Sequence, residues 1–191
     1  MKINFLPAIF MAVVFMACQS DYTPKPKGYN RFDLPEHAYT SLSDTLPYSF
    51  EYSQHARVLA DTSWISDKSW IEINYPEYKA NIHITYKKVY NQDSLKGYLD
   101  DAYFLTAKHQ IKAYAIDESI VKTPSGKTVV YAELEGEVPS QFQWYTTDST
   151  EHFLRGALYF NTQVQNDSLR PAIEYVKVDI VHMMNSLKWR D

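Results

Sequence analysis

Six histidines stand at 37, 55, 83, 109, 152 and 182, and imidazole is the side chain best suited to move protons or hold a metal near neutral pH. They are scattered. No two share a metal-ligand spacing, and no His-Glu-x-x-His run exists. His83 falls on the polar side of an alternating stretch. His182 follows Asp179 by three residues, so the two share one helical face and predict a His–Asp contact at the surface. Asp100 and Asp101 are neighbours on a helical pattern. They therefore point about 100° apart and cannot work as a matched acid–base pair. Glu133, Glu135 and Glu137 alternate along one strand face, which reads as a solvated face before it reads as a weak calcium site. The chain has no Gly-x-Ser-x-Gly, no phosphate loop and no dinucleotide fingerprint, and only 5 glycines with which to cradle a phosphate. These patterns predict no catalytic residues, no metal site and no cofactor.

The residue with the clearest chemistry is Cys18, the only cysteine. Lys2 gives a positive start, Ile3 to Ala17 carry no charge, and Gln19-Ser20-Asp21 restore polarity at once. A charged start, an apolar core and a small residue before the cut describe a secretory signal peptide over 1–17. The run is shorter than the roughly 20 apolar residues that span a bilayer. Its end resembles the lipobox of bacterial lipoproteins, in which the cysteine sulfur is acylated and the chain is cut just before it. Ala17 fits the small position, whereas Phe15 departs from the usual leucine. One acyl chain holds a protein marginally and two or three hold it firmly, so the mature chain is expected to be a domain tethered at a membrane surface. With its single cysteine committed, the domain can form no internal disulfide and no cysteine-based zinc site.

A formal net charge of −4, with both signs interspersed, offers no basic patch for nucleic acid. The unusual quantity is the aromatic fraction, 15%, with 16 tyrosines, a residue type suited to half-buried sheet faces and to interfaces.

The elements that position these residues follow in order. Residues 18–44 read as the lipidated N-terminus and a tether that becomes ordered, and 45–191 as one domain. Pro24 and Pro26 favour an extended spacer. Tyr29 to Tyr39 mixes aromatics with charge and reads as a segment strapped onto the domain or offered to a partner. Tyr29, Arg31, Phe32, Leu34, His37 and Tyr39 are its candidate partner-binding residues. Tyr48, Phe50 and Tyr52 alternate with polar residues. So do Ile71, Ile73 and Tyr75, and then Ala80, Ile82, Ile84 and Tyr86, which predicts a hairpin over 70–75 and 79–87. Leu95, Tyr98, Leu99, Ala102, Leu105 and Thr106 form a helical stripe over 94–111, capped by Asp93 or Ser94. A second hairpin runs over 119–123 and 127–135, and a third over 142–145 and 153–160. Gly156 marks a bulge or a close backbone approach. A final helix is capped by Asp167 or Ser168, with Pro171 in its first turn. Ile173, Val176, Ile180, Met183 and Leu187 face inward, and Val178, Val181 and Met184 widen the stripe. Strands, helix, strands, helix predicts an α+β fold: a mostly antiparallel sheet packed by two main helices. That order resembles the PsbP/Mog1-like α/β/α sandwich.

The stretch Pro24-Lys25-Pro26-Lys27-Gly28-Tyr29-Asn30-Arg31-Phe32-Asp33-Leu34-Pro35-Glu36-His37-Ala38-Tyr39, close behind the lipobox cysteine, resembles the gliding-motility lipoprotein GldD family of Bacteroidota. The resemblance continues in His152-Phe153-Leu154-Arg155-Gly156-Ala157-Leu158-Tyr159-Phe160 and in Asp167-Ser168-Leu169-Arg170-Pro171. It implies a lipid-anchored part of the gliding machinery, which is coupled to type IX protein secretion. Such a part acts by contacts with other envelope proteins and not as an enzyme. The competing expectation from the aromatic content is a periplasmic module that binds a small ligand or glycan. Gln19 after the cysteine favours the outer membrane by the enteric sorting rule. The lack of an acidic tract there favours a periplasm-facing domain.

Overall fold

The computed structural model describes residues 28, 31–43, 45–161 and 166–190. The strands are β1 (Tyr39–Ser41), β2 (Tyr48–Ser49), β3 (Glu51–Ser53), β4 (Arg57–Ala60), β5 (Ile71–Tyr75), β6 (Ala80–Lys88), β7 (Ala113–Lys122), β8 (Thr128–Gly136), β9 (Ser140–Thr147), β10 (His152–Phe160) and β11 (Lys188–Trp189). Helix α1 (Gln92–Ala107) joins β6 to β7 and runs on into a 3₁₀ turn, Lys108–Ile111. Helix α2 (Asn166–Ser186) follows β10.

Seven strands form one sheet in the order β4-β5-β6-β10-β9-β8-β7, antiparallel at every pairing. Three hairpins supply six of its strands. The β5–β6 turn places Lys79 at a positive φ of 52°, and the β7–β8 turn uses Gly126 at 80°. At the β9–β10 turn, Asp148 Oδ1 accepts backbone N–H bonds from Thr150, Glu151 and His152, each 2.9 Å long. Burial works against that carboxylate, but the three donors outweigh it and hold Asp148 below the usual carboxylate range. The hairpins are stitched together where β10 lies along the full length of β6, from His152 opposite Lys88 to Phe160 opposite Ala80.

Alternation then sorts the side chains to two faces. Ile71, Ile73, Ile82, Ile84, Phe142, Trp144, Leu154 and Leu158 point to one face. There they meet Ala172, Val176, Ile180 and Met183 of α2, and Leu187 just after it, in the main core. Phe153 and Tyr145 point to the other face and meet Leu95, Ala102, Tyr98 and Leu99 under α1. The result is an α+β fold with a helix on each face of a mostly antiparallel sheet.

The hairpins at 70–87, 119–135 and 142–160 are present, the last two extended at their ends. Some local expectations change. The cap of α1 is Asn91, whose side chain accepts from Ser94 N–H while Ser94 Oγ accepts from Asn91 N–H, so Ser94 is the reciprocal half of a capping box. Leu105 of α1 is exposed. Helix α2 begins at Asn166, so Pro171 lies in its second turn, not its first, and removes one helical donor. Val178 and Val181 are 49% and 44% exposed and do not widen the stripe, because the sheet contacts only one side of α2. Gly156 is a close approach: a Cβ there would overlap the buried indole of Trp144. The register shift sits further along, between Leu158 and Tyr159.

Candidate functional site

The N-terminal segment 31–43 lies along the domain as a strap, and each of its contacts has a local cause. Phe32 meets Tyr78 edge to face, with ring centroids 5.8 Å apart, and Tyr78 Oη donates to the Asp33 carbonyl at 3.1 Å. Pro35 separates this anchor from the next. His37 Nδ1 lies 2.7 Å from Asp179 Oδ1, and its ring stacks on Tyr175 at 4.3 Å. Tyr39 stacks on His182 at 3.6 Å, the rings 6° from parallel. His182 Nε2 in turn contacts Glu51 Oε2 at 2.7 Å. Backbone pairing finishes the strap: β1 runs antiparallel to β3, and Gln54 N–H donates to the Ala38 carbonyl at 2.8 Å.

Asp179 is the pivot of this seam. It sits on α2, wholly buried, on the same face as Val176, Ile180 and Met183. Its two oxygens have separate partners: Oδ1 faces His37, and Oδ2 accepts from Tyr75 Oη at 3.0 Å. A buried carboxylate is tolerable only with such partners. The charge marks its neighbours. Burial, then Asp179, pushes the Tyr39 phenol up to about 12, and the same two causes raise Tyr75 well above the ordinary tyrosine value. The pairing of an imidazole with a buried carboxylate has the composition of a base and its orienting acid. Here, however, His37 is spent on fastening the strap, stacked on Tyr175.

The structure brings three of the six candidate partner-binding residues into the seam: Phe32, His37 and Tyr39. Arg31 and Leu34 face outward, Leu34 at 42% exposure. Tyr29, and the lipidation candidate Cys18, lie outside the described residues. The expected surface contact of His182 with Asp179 is not made. Asp179 is inside, paired with a residue 142 positions away, while His182 reaches Glu51 on β3. The three glutamates share a groove but are not arranged as a cation site. All three line one groove of about 420 Å³ that also holds Arg170 and Lys177, and Glu133 is drawn off to pair with Lys177 of α2. Among the described residues no group of three or more His, Cys, Asp and Glu side chains is arranged to hold a metal. Sequence reasoning missed Asp179 as a structural centre, although a lone carboxylate inside the Val176–Met183 stripe is a readable signal. It also missed His152, which is buried with Nδ1 2.8 Å from Tyr86 Oη and its ring stacked on Trp189.

The fold and the seam define an α+β sandwich domain fastened to its own N-terminal segment. Among the described residues no helix is long and apolar enough to cross a membrane. The family described as gliding motility lipoprotein GldD matches residues 19–189, and the chain belongs to that family. The solution structure of cyanobacterial PsbP (CyanoP) from Synechocystis sp. PCC 6803 is similar over 84% of this chain and 97% of that one, at 12% identity and a TM-score of 0.47. No curated protein matches the chain.

Proposed function

We infer that the chain is a lipid-anchored envelope component of the gliding machinery and of the type IX secretion linked to it, working through protein contacts and not by catalysis. The observation that carries this reading is the family match, which spans 19–189 and so includes the strap as well as the domain. Cys18 carries the lipid, 18–44 forms the tether with its docked strap, and 45–191 forms the body. The domain faces the periplasm, with the outer membrane favoured by Gln19. The outward side chains Arg31 and Leu34, together with Tyr29, meet a neighbouring envelope protein, while Phe32, His37 and Tyr39 hold that edge in place.

The test is a strain lacking the gene, complemented with wild type or with Cys18→Ser. Loss of colony spreading and of secreted protein, restored by wild type alone, is expected. Normal spreading and secretion in the deletion strain would sink this reading and put the ligand-binding module first.

A further inference from the structure

The sheet face under α1 holds a charge without a counter-ion among the described residues. Arg155 leaves β10 on this face, opposite Tyr145 of β9 and Thr85 of β6, and is largely buried. Its Nη2–H donates to Gln143 Oε1 at 2.5 Å. Thr106 Oγ1 of α1 reaches the same oxygen at 3.3 Å. With its acceptor end so used, the Gln143 amide presents Nε2 elsewhere. That atom is buried without a hydrogen-bond partner, in a residue only 2% exposed. Among the described residues no carboxylate stands within ion-pair distance of Arg155. Burial holds the guanidinium below its ordinary range even though Tyr159 on the same strand hydrogen-bonds it, and burial together with Arg155 lowers nearby His109.

Both side chains line one cavity of about 40 Å³, bounded also by Tyr103, Thr106, Glu118 and Tyr145. Tyr103 and Glu118 are exposed, so the cavity reaches the surface. A buried N–H without an acceptor and a buried cation without a counter-ion are both costly. A water molecule answers the first need but not the second; an anion answers both. We propose that this cavity binds a carboxylate group, gripped by the Arg155 guanidinium and the Gln143 amide. The size fits: a water needs roughly 10–15 Å³ of such space, so the cavity takes a carboxylate but not a sugar ring. The charge fits as well. Arginine matches a carboxylate with paired N–H donors, and the Glu118 carboxylate on the same lining disfavours a doubly charged phosphate. The carboxylate comes either from a small free acid or from the C-terminus of an extended peptide. The site stands independently of the function proposed above.

The test uses the full chain purified from membranes in detergent. Acetate and a short peptide, with a free or an amidated C-terminus, are titrated while the side-chain N–H signals of Arg155 and Gln143 are followed by NMR. Saturable shifts are expected. Arg155→Lys should weaken binding about ten- to a hundredfold, the scale of a charge-assisted hydrogen bond. Gln143→Met should weaken it less, and Glu118→Gln should tighten it by removing a like charge. Tighter binding of the free-acid peptide than of acetate identifies a peptide C-terminus; equal binding identifies a small acid. Absence of saturable shifts with wild type at tens of millimolar overturns the proposal. So does equal binding of the amidated peptide, or loss of binding in Glu118→Gln, a surface change that leaves folding testable if the Arg155 variant does not fold.

Discussion

Asp179 shows how one side chain fixes the path of a segment more than a hundred residues away. Its carboxylate is held by His37 and Tyr75, with the Tyr39 phenol beside them, and has no water-facing surface, so removing His37 or Tyr75 leaves a buried acceptor short of a donor. His37→Ala is expected to lower stability by about 2 kcal/mol in urea unfolding. Asp179→Asn keeps the shape but removes the charge and replaces one acceptor oxygen with an N–H donor, and a similar loss is expected. The two changes act through one bond, so the double variant should cost little more than the worse single one. Tyr39 gives the same seam a pH signature. Its phenol ionises near 12 in the folded chain against 10.0 ordinarily, burial being the first cause and the Asp179 charge the second. The fold therefore favours the neutral ring. That contribution is complete below about pH 10 and is lost as pH rises through about 12. Urea midpoints of wild type should fall across this window, and those of Tyr39→Phe should fall less. Tyr78, also pushed up to about 12, keeps part of the slope in the variant.

At the level of the elements, Gly156 and Trp144 set a limit that strand propensity does not reveal. The indole lies across the glycine in the centre of the sheet, and any Cβ overlaps it. Gly156→Ala is expected to destabilise by about 3 kcal/mol, measured by urea unfolding, even though alanine suits a strand better than glycine does. The elements themselves were largely readable, because each hairpin carries a period of two and a turn residue, and these are local properties. Where the structure departs from the pattern, long-range packing is the reason. Val178 and Val181 are apolar, but a helix against a flat sheet buries one side only, and sequence does not say how wide that side is. Asp179 and His182 are spaced as neighbours, yet each found a stronger partner from a distant segment. The strap was legible as a mixture of aromatics and charge. Its docking on α2 was not, because docking depends on a buried acid whose surroundings form only when the sheet has closed. The cavity at Arg155 was invisible for the same reason: it joins side chains from α1 and from β7, β8, β9 and β10, which meet only in the folded sheet.

For the whole molecule, a lipid on Cys18 would act in series with the seam. Cys18→Ser should move the chain from the membrane to the soluble fraction of lysed cells; unchanged fractionation would rule out the lipid anchor. A second outcome depends on the strap. Fully extended chain covers at most about 3.5 Å per residue, so with the lipid on Cys18 the dozen or so residues before Arg31 let the docked domain stand no more than about 45 Å from its anchor. Peeling 31–43 away from Asp179 and His182 would add a similar length again. The His37–Asp179 bond thus fixes the leash at its short setting, and a pull on the domain meets those few contacts before it meets the fold.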